Sequence, residues 1–260
     1  MTTRLTTPWW LPRDPDPARE ATGSREPTAV LDHSAEAVRN LAARTRGGDE
    51  RERLRSAHAL VSVAVRPVYA LDELQPASVT LRRGRGSCSQ RMAVLEATAR
   101  SLDVVTRCRG LLVDGRFWYP RFPRLHRFVP DVVVLAWPEF RVEGSWVPAS
   151  HLFAPPGAGI AAFTNRDGET LFEALARGAV SLEDCTGGCA RDGHDEAAGL
   201  ADRVVADLGR FDSRDELFAT HGQTLCPLVR RVVDPVTSRS SASQSSRFIP
   251  TCDATKPSRS

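Results

Sequence analysis

One stretch of the chain carries the makings of covalent chemistry, Gly86-Ser87-Cys88-Ser89-Gln90. Ser87 and Gln90 have the S-x-x-Q spacing of a capping box, which opens a helix by satisfying two of its orphan amides. Cys88 then falls at the first helical position. There the positive end of the helix dipole and the unpaired N–H groups favour thiolate over thiol. A thiolate in that place is a nucleophile, and the amides of Cys88, Ser89 and Gln90 could hold the oxyanion formed when it attacks a carbonyl. Gly84 and Gly86 permit close approach of a substrate, while Arg85 and Arg91 add positive potential. The plainer alternative is a small buried hydrophobe that happens to open a helix. Amine chemistry is excluded, because the only lysine, Lys256, lies in a polar tail.

The elements that must position Cys88 are legible from periodicity. Met92, Leu95, Ala99 and Leu102 continue the helix as an apolar stripe and predict its burial. Ahead of it, Ser34 is placed to cap a helix through Val38 and Leu41. A second helix starts near Glu50 and ends near Pro67, and residues 66–86 read as an extended approach. After the Cys88 helix the period changes. Val104 to Val113 reads as a strand, Asp114-Gly115 as a hairpin turn and Arg116 to Tyr119 as the return strand. Val132 to Val142 and Ser145 to Val147 follow as further strands. A buried helix followed by an antiparallel meander predicts an α+β fold. Residues 1–27 read as a flexible arm, with Trp9-Trp10 able to pin it to the body, and 28–154 as the core. Residues 155–236 read as a mostly helical subdomain or lid, with helices near 168–177, 195–208 and 214–221. Residues 237–260 read as a disordered tail.

Residues 86–147 also resemble the transglutaminase-like core, a papain-related thiol-enzyme scaffold. Gly86-Ser87-Cys88-Ser89-Gln90-Arg91-Met92-Ala93 resembles its nucleophile-helix start and Arg107-Cys108-Arg109-Gly110 its Arg-x-x-Gly strand. Ala136-Trp137-Pro138-Glu139-Phe140 and Gly144-Ser145-Trp146 are similar to its His-Ala-Trp-x-Glu and Gly-x-Trp blocks. The departures are equally specific: Leu135 stands at the family's His position and Ser150 nearest its Asp. Within that scaffold the chain is similar to Dieckmann cyclases of tetramate and pyridone biosynthesis. These use a Cys, an Asp shortly after the nucleophile helix, and a late His. The resemblance implies Cys88, Asp114 and His221 in those roles, with His126 and His151 as rivals for the base. It also implies a phosphopantetheine carrier protein that presents an acyl-aminoacyl thioester, and an apolar pocket with Trp118, Trp137 and Trp146. The alternatives are a peptidase or amidase, or a degenerate domain that only binds a peptide or partner.

Each residue has a bland reading as well. Asp114 in Asp-Gly suits a tight turn, His221 suits a helix C-terminus, and tryptophans are usually core. Cys185, Cys189, His194 and Cys226 make a weak zinc set, because Cys-x3-Cys lacks the usual ligand spacing, so no metal is expected. Thioester exchange calls for no cofactor. The 35 basic and 32 acidic residues nearly balance, which argues against a nucleic-acid partner. No apolar run is long enough to span a membrane, and no secretion signal is apparent, so a cytoplasmic protein with free thiols is expected.

Overall fold

The computed structural model describes residues 14–122, 129–153, 161–166, 168–180, 182 and 199–225. The elements in chain order are α1 (Glu36–Ala43), α2 (Glu50–Ala64), β1 (Arg66–Pro67), α3 (Ala77–Arg83), β2 (Arg85–Gly86), α4 (Cys88–Ser101), β3 (Thr106–Asp114), β4 (Val132–Val142), β5 (Ser145–Pro148), α5 (Ala149–Phe153), α6 (Leu171–Ala176), β6 (Val204–Phe211) and α7 (Arg214–His221). The architecture is α+β, with one four-stranded antiparallel sheet of order β5-β4-β3-β6 and helices packed on it. No helix among the described residues is long and apolar enough to cross a membrane.

Helix α4 is the centre of the molecule. Residues 90–100 are all buried, and α1, α2 and α3 pack around it. Its polar side chains are therefore buried with its apolar ones, and most find partners, as desolvation demands. Arg91 pairs with Glu173 at 2.6 Å and Glu96 with Arg214 at 2.6 Å, while Arg100 Nε donates to Thr106 Oγ1 at 2.8 Å. The stripe read from the sequence was the minimum; every face of the helix is covered.

Strand β3 pairs with β4 along its full length, from Thr106↔Phe140 to Asp114↔Val132. Alternation then puts Arg107, Arg109, Trp137 and Glu139 on one face, and Cys108, Leu112, Val134 and Ala136 on the other. The second set packs with Leu217 and Phe218 of α7. Gly110 makes that fit possible, since a Cβ there would meet Leu217 Cδ1 at 2.6 Å.

Several local expectations are corrected. The Asp114-Gly115 hairpin and its return strand do not form. Asp114 instead accepts from Arg116 N at 2.9 Å and opens a 3-10 helix, Gly115–Arg121, so β3's partner is the later β4. Ser34 does not cap α1, whose N-cap is Ala35 with no side-chain bond, and the helix stops before Gly47. The approach 66–86 contains α3 and a short parallel pair, Arg66↔Arg85 and Pro67↔Gly86. Within the stretch expected to be helical near 195–208, Val204 onward is strand. There β6 extends the sheet alongside β3, so this part of the supposed subdomain belongs to the core. The arm is also tied down over its described part. Ser24 bridges Thr106, Arg210 N donates to Arg19 O at 2.9 Å, and Gly23 N donates to Asp212 Oδ1 at 2.7 Å. Gly209, at φ +85°, lets the arm pass so close that a Cβ would collide with Asp16 O. Trp9-Trp10, the 237–260 tail, His126 and the four residues of the zinc set lie outside the described residues.

Candidate functional site

Ser87 is the N-cap of α4 in extended conformation, with φ −69° and ψ 169°. Its Oγ accepts from Gln90 N at 3.2 Å, and Gln90 Oε1 accepts from Ser87 N at 3.1 Å, so both halves of the capping box are present. Cys88 is the first helical residue, half-buried against the core. Gln90 is consumed by this arrangement: its amide serves the cap, and its Nε2 donates to Asp72 O at 2.9 Å. The amides of Cys88 and Ser89 are then the first-turn donors left to hold an oxyanion.

A polar cluster surrounds this helix start, built around Ser89 by residues that sequence reading did not single out. Ser89 Oγ donates to the Glu73 carboxylate in a short bond, and Arg214 Nη1 donates to Ser89 O and Oγ at 3.1 and 3.0 Å. Tyr69 is hydrogen-bonded to Arg121. Burial pushes its phenol up, Arg121 pulls it down, and a negative charge on Cys88 would push it up further. Arg121 is in turn fixed by Asn165, to whose Oδ1 its Nε donates at 2.7 Å, and Tyr69 packs on Phe122 with ring centroids 4.6 Å apart.

The predicted partners of Cys88 come from separate elements, Asp114 from the end of β3 and His221 from the end of α7. His221 is buried at the end of α7, edge-on to Phe211 with centroids 5.5 Å apart. The chain just past it reaches the Cys88 neighbourhood, since Gln223 Oε1 accepts from Glu73 N at 2.8 Å and Glu73 holds Ser89. Asp114 is committed elsewhere, to Arg116 at 2.6 Å and, more distantly, Arg203 at 3.9 Å. Partial burial raises its carboxyl, but the Arg116 side-chain and backbone bonds outweigh that and hold it below the usual range. Leu135, at the scaffold's His position, is buried in the core, and Ser150, nearest its Asp position, is buried too. His151 is exposed on α5, where its carbonyl oxygen accepts from Arg51 Nη1 at 3.0 Å. His58 is buried on α2, where its Nε2–H donates to Phe172 O at 2.7 Å. Burial is the main reason its pKa falls to about 4.

The three tryptophans do not share one pocket. Trp137 and Trp146 line a cleft of about 300 Å³ on the Arg107–Arg109 face of the sheet, together with Ser150 and His151. Trp118, Cys88, Asp114 and His221 are not among its walls. Trp118 instead stands edge-on to Phe117 beside the main core. Among the described residues no cluster of three or more His, Cys, Asp or Glu could hold a metal ion.

No family model, no curated protein and no solved structure matches this chain. The missed residues left little trace in the sequence. Arg214 only opens the helix expected near 214–221, yet it is fully buried against Glu96, 118 positions away. Glu73 lies in the stretch 66–86 that reads as an extended approach.

Proposed function

We propose that this chain is a cysteine-dependent acyltransferase whose reaction ends in ring closure, taking an acyl-aminoacyl thioester from a phosphopantetheine carrier. The observation that carries the reading is Cys88 itself, half-buried at the first position of a fully capped, buried helix, with polar side chains gathered around it. The transglutaminase-like order of blocks, and a helix followed by an antiparallel sheet, support the scaffold. In this reading the Cys88 thiolate attacks the thioester carbonyl and expels the carrier thiolate, giving an acyl-enzyme. The amides of Cys88 and Ser89 hold the oxyanion. His221 removes a proton from the substrate carbon between two carbonyls. That carbanion attacks the acyl carbon, Cys88 leaves as thiolate, and the proton held by His221 goes to the carrier thiolate. Ring and free carrier thiol are the products, and no oxidant or reductant is consumed. Glu73, rather than Asp114, is the acid that the hydrogen bonds connect to this end of the helix.

A second reading has its own support. Leu135 and Ser150 replace the scaffold's His and Asp and are buried, which favours a degenerate domain that binds without catalysis. Incubation of the full chain with an N-acetoacetyl-aminoacyl thioester separates the two. The acyltransferase yields a tetramate ring and one equivalent of thiol, and Cys88→Ala abolishes both. Linear acid alone identifies a hydrolase. Absence of thiol release from the wild-type chain overturns the catalytic reading in favour of the binding one.

A further inference from the structure

Four arginines stand just ahead of the thiol: Arg66 on β1, Arg82 and Arg83 at the end of α3, and Arg85 on β2. Arg66, Arg82 and Arg83 are exposed and Arg85 is half-exposed. The fold gathers them. β1 and β2 pair in parallel with Arg66 directly beside Arg85, and Gly84 alone separates Arg85 from the end of α3. Gly84 stands in the left-handed region at φ +59°, and its carbonyl oxygen accepts from Arg66 N at 3.0 Å, which ties the end of α3 to β1. None of the four meets a carboxylate among the described residues: Arg82 Nη1 donates to Ser78 Oγ at 3.0 Å and Arg83 Nη1 to Gln75 Oε1. Arg91, Arg107, Arg109 and Arg214, by contrast, each hold an acid. The only acids between Ala64 and Cys88 are Asp72 and Glu73. Both make bonds elsewhere, Asp72 Oδ1 accepting from Leu74 N at 3.2 Å and Glu73 from Ser89 Oγ. The last turn of a helix favours cations, which accounts in part for Arg82 and Arg83. It does not account for Arg66 and Arg85, like charges on neighbouring strands about 5 Å apart. Such a pair repels until a counter-charge arrives.

We propose that these four arginines dock an acidic protein, the carrier that presents its phosphopantetheine thioester to Cys88. The identity of that partner rests on the acyltransferase reading. Arg85 precedes Cys88 by three residues, with only Gly86 and the cap Ser87 between them, so a carrier seated here has the thiol next to it. Acidic side chains around the phosphopantetheine attachment site pair with the arginines, and the prosthetic arm carries the thioester to the thiol. A protein suits this surface better than a small anion, because three of the arginines are exposed and none of the four lines the cleft on the Arg107–Arg109 face. Val63, in the last turn of α2 and three residues ahead of Arg66, is 87% exposed, the most of any large apolar side chain among the described residues. An apolar contact beside arginines is the make-up of a protein interface. A nucleic acid calls for a longer basic track than a chain with 35 basic and 32 acidic residues offers.

The test is fluorescence anisotropy of a labelled holo acyl carrier protein of strongly negative charge, titrated with the full chain, beside thiol-release assays on two thioesters. One is the N-acetoacetyl-aminoacyl carrier protein, and the other is the same acyl group on N-acetylcysteamine. The carrier binds saturably and loses about tenfold in affinity from low to physiological salt. Arg66→Gln combined with Arg82→Gln weakens binding about tenfold and raises KM for the carrier thioester by the same factor. The double variant keeps kcat, its rate on the small thioester and the wild-type Tm, so lost binding is not lost folding. Absence of saturable carrier binding overturns the proposal, and so does binding unaffected by R66Q/R82Q. Duplex DNA that binds at least as tightly as the carrier overturns it in favour of a nucleic-acid surface. In each of these cases, thiol release from the small thioester leaves the acyltransferase standing. Carrier binding that R66Q/R82Q loses, with no thiol released from either thioester, keeps the docking surface and sinks the acyltransferase.

Discussion

At the scale of single residues, the position of Cys88 depends on its neighbour. Ser87 and Gln90 satisfy one another's backbone amides and so fix where α4 begins, which decides that the thiol stands at the first helical position. Ser87→Ala removes the side-chain acceptor and is expected to cost about 1 kcal/mol in urea unfolding, with Ser87→Thr recovering most of it. The same variants report on the thiol. Iodoacetamide labels Cys88 ahead of Cys108 in the native protein, and S87A narrows the difference. Cys108 is fully enclosed by the sheet and α7, and burial pushes its thiol well above the ordinary range. Equal labelling of the two cysteines would count against an activated nucleophile at position 88.

Between elements, the decisive contact is Arg214 with Glu96. It ties the first turn of α7 to the middle of α4, and Arg214 also reaches Ser89 next to the thiol. Arg214 is wholly buried and Glu96 99% buried, with 1% of its surface exposed, so removing one partner strands the other's charge in the interior. Arg214→Met is expected to destabilise by about 3–5 kcal/mol. Adding Glu96→Gln to that variant should recover most of the loss, because the coupling of the pair and not the Arg side chain alone carries the cost. Chemical denaturation of the two single variants and the double variant measures this coupling. An additive double variant would show that each side chain acts through packing instead.

For the whole molecule, His58 makes stability depend on pH. It lies between α2 and α6, stacked on Phe172 at 4.1 Å, and it stays neutral in the folded state because burial lowers its pKa from 6.5 to about 4. The unfolded chain takes up a proton below pH ~6.5 that the folded chain refuses. Stability is therefore complete above the unfolded value and falls as pH drops towards the folded one. Between about pH 7 and pH 5 the loss from this residue is on the order of 2 kcal/mol. His58→Gln, which keeps an N–H for Phe172 O, should flatten that slope in urea unfolding at the two pH values. An unchanged slope would place the pH dependence in other groups.

The sequence by itself determined what is local. The capping box at Ser87, the side-chain cap at Ser213, α7 ending at His221, the strand Val132–Val142 and the burial of the Cys88 helix all follow from short-range spacing and apolar periodicity. A cap or a strand run is specified within a few residues, so its signal is intact in one chain. Only the tertiary structure decided what requires residues far apart to meet. It placed Val204–Phe211 in the sheet, where a partner strand overrides a helical pattern, and bound the Pro-rich arm to β6. It also joined Glu73 and Arg214 to Ser89 next to the thiol, and put Trp137 and Ser150 in the walls of a cleft that Cys88 does not line. Charged side chains read as solvated until burial forces them to pair. For that reason Cys88 could be named from the sequence, and the residues around it could not.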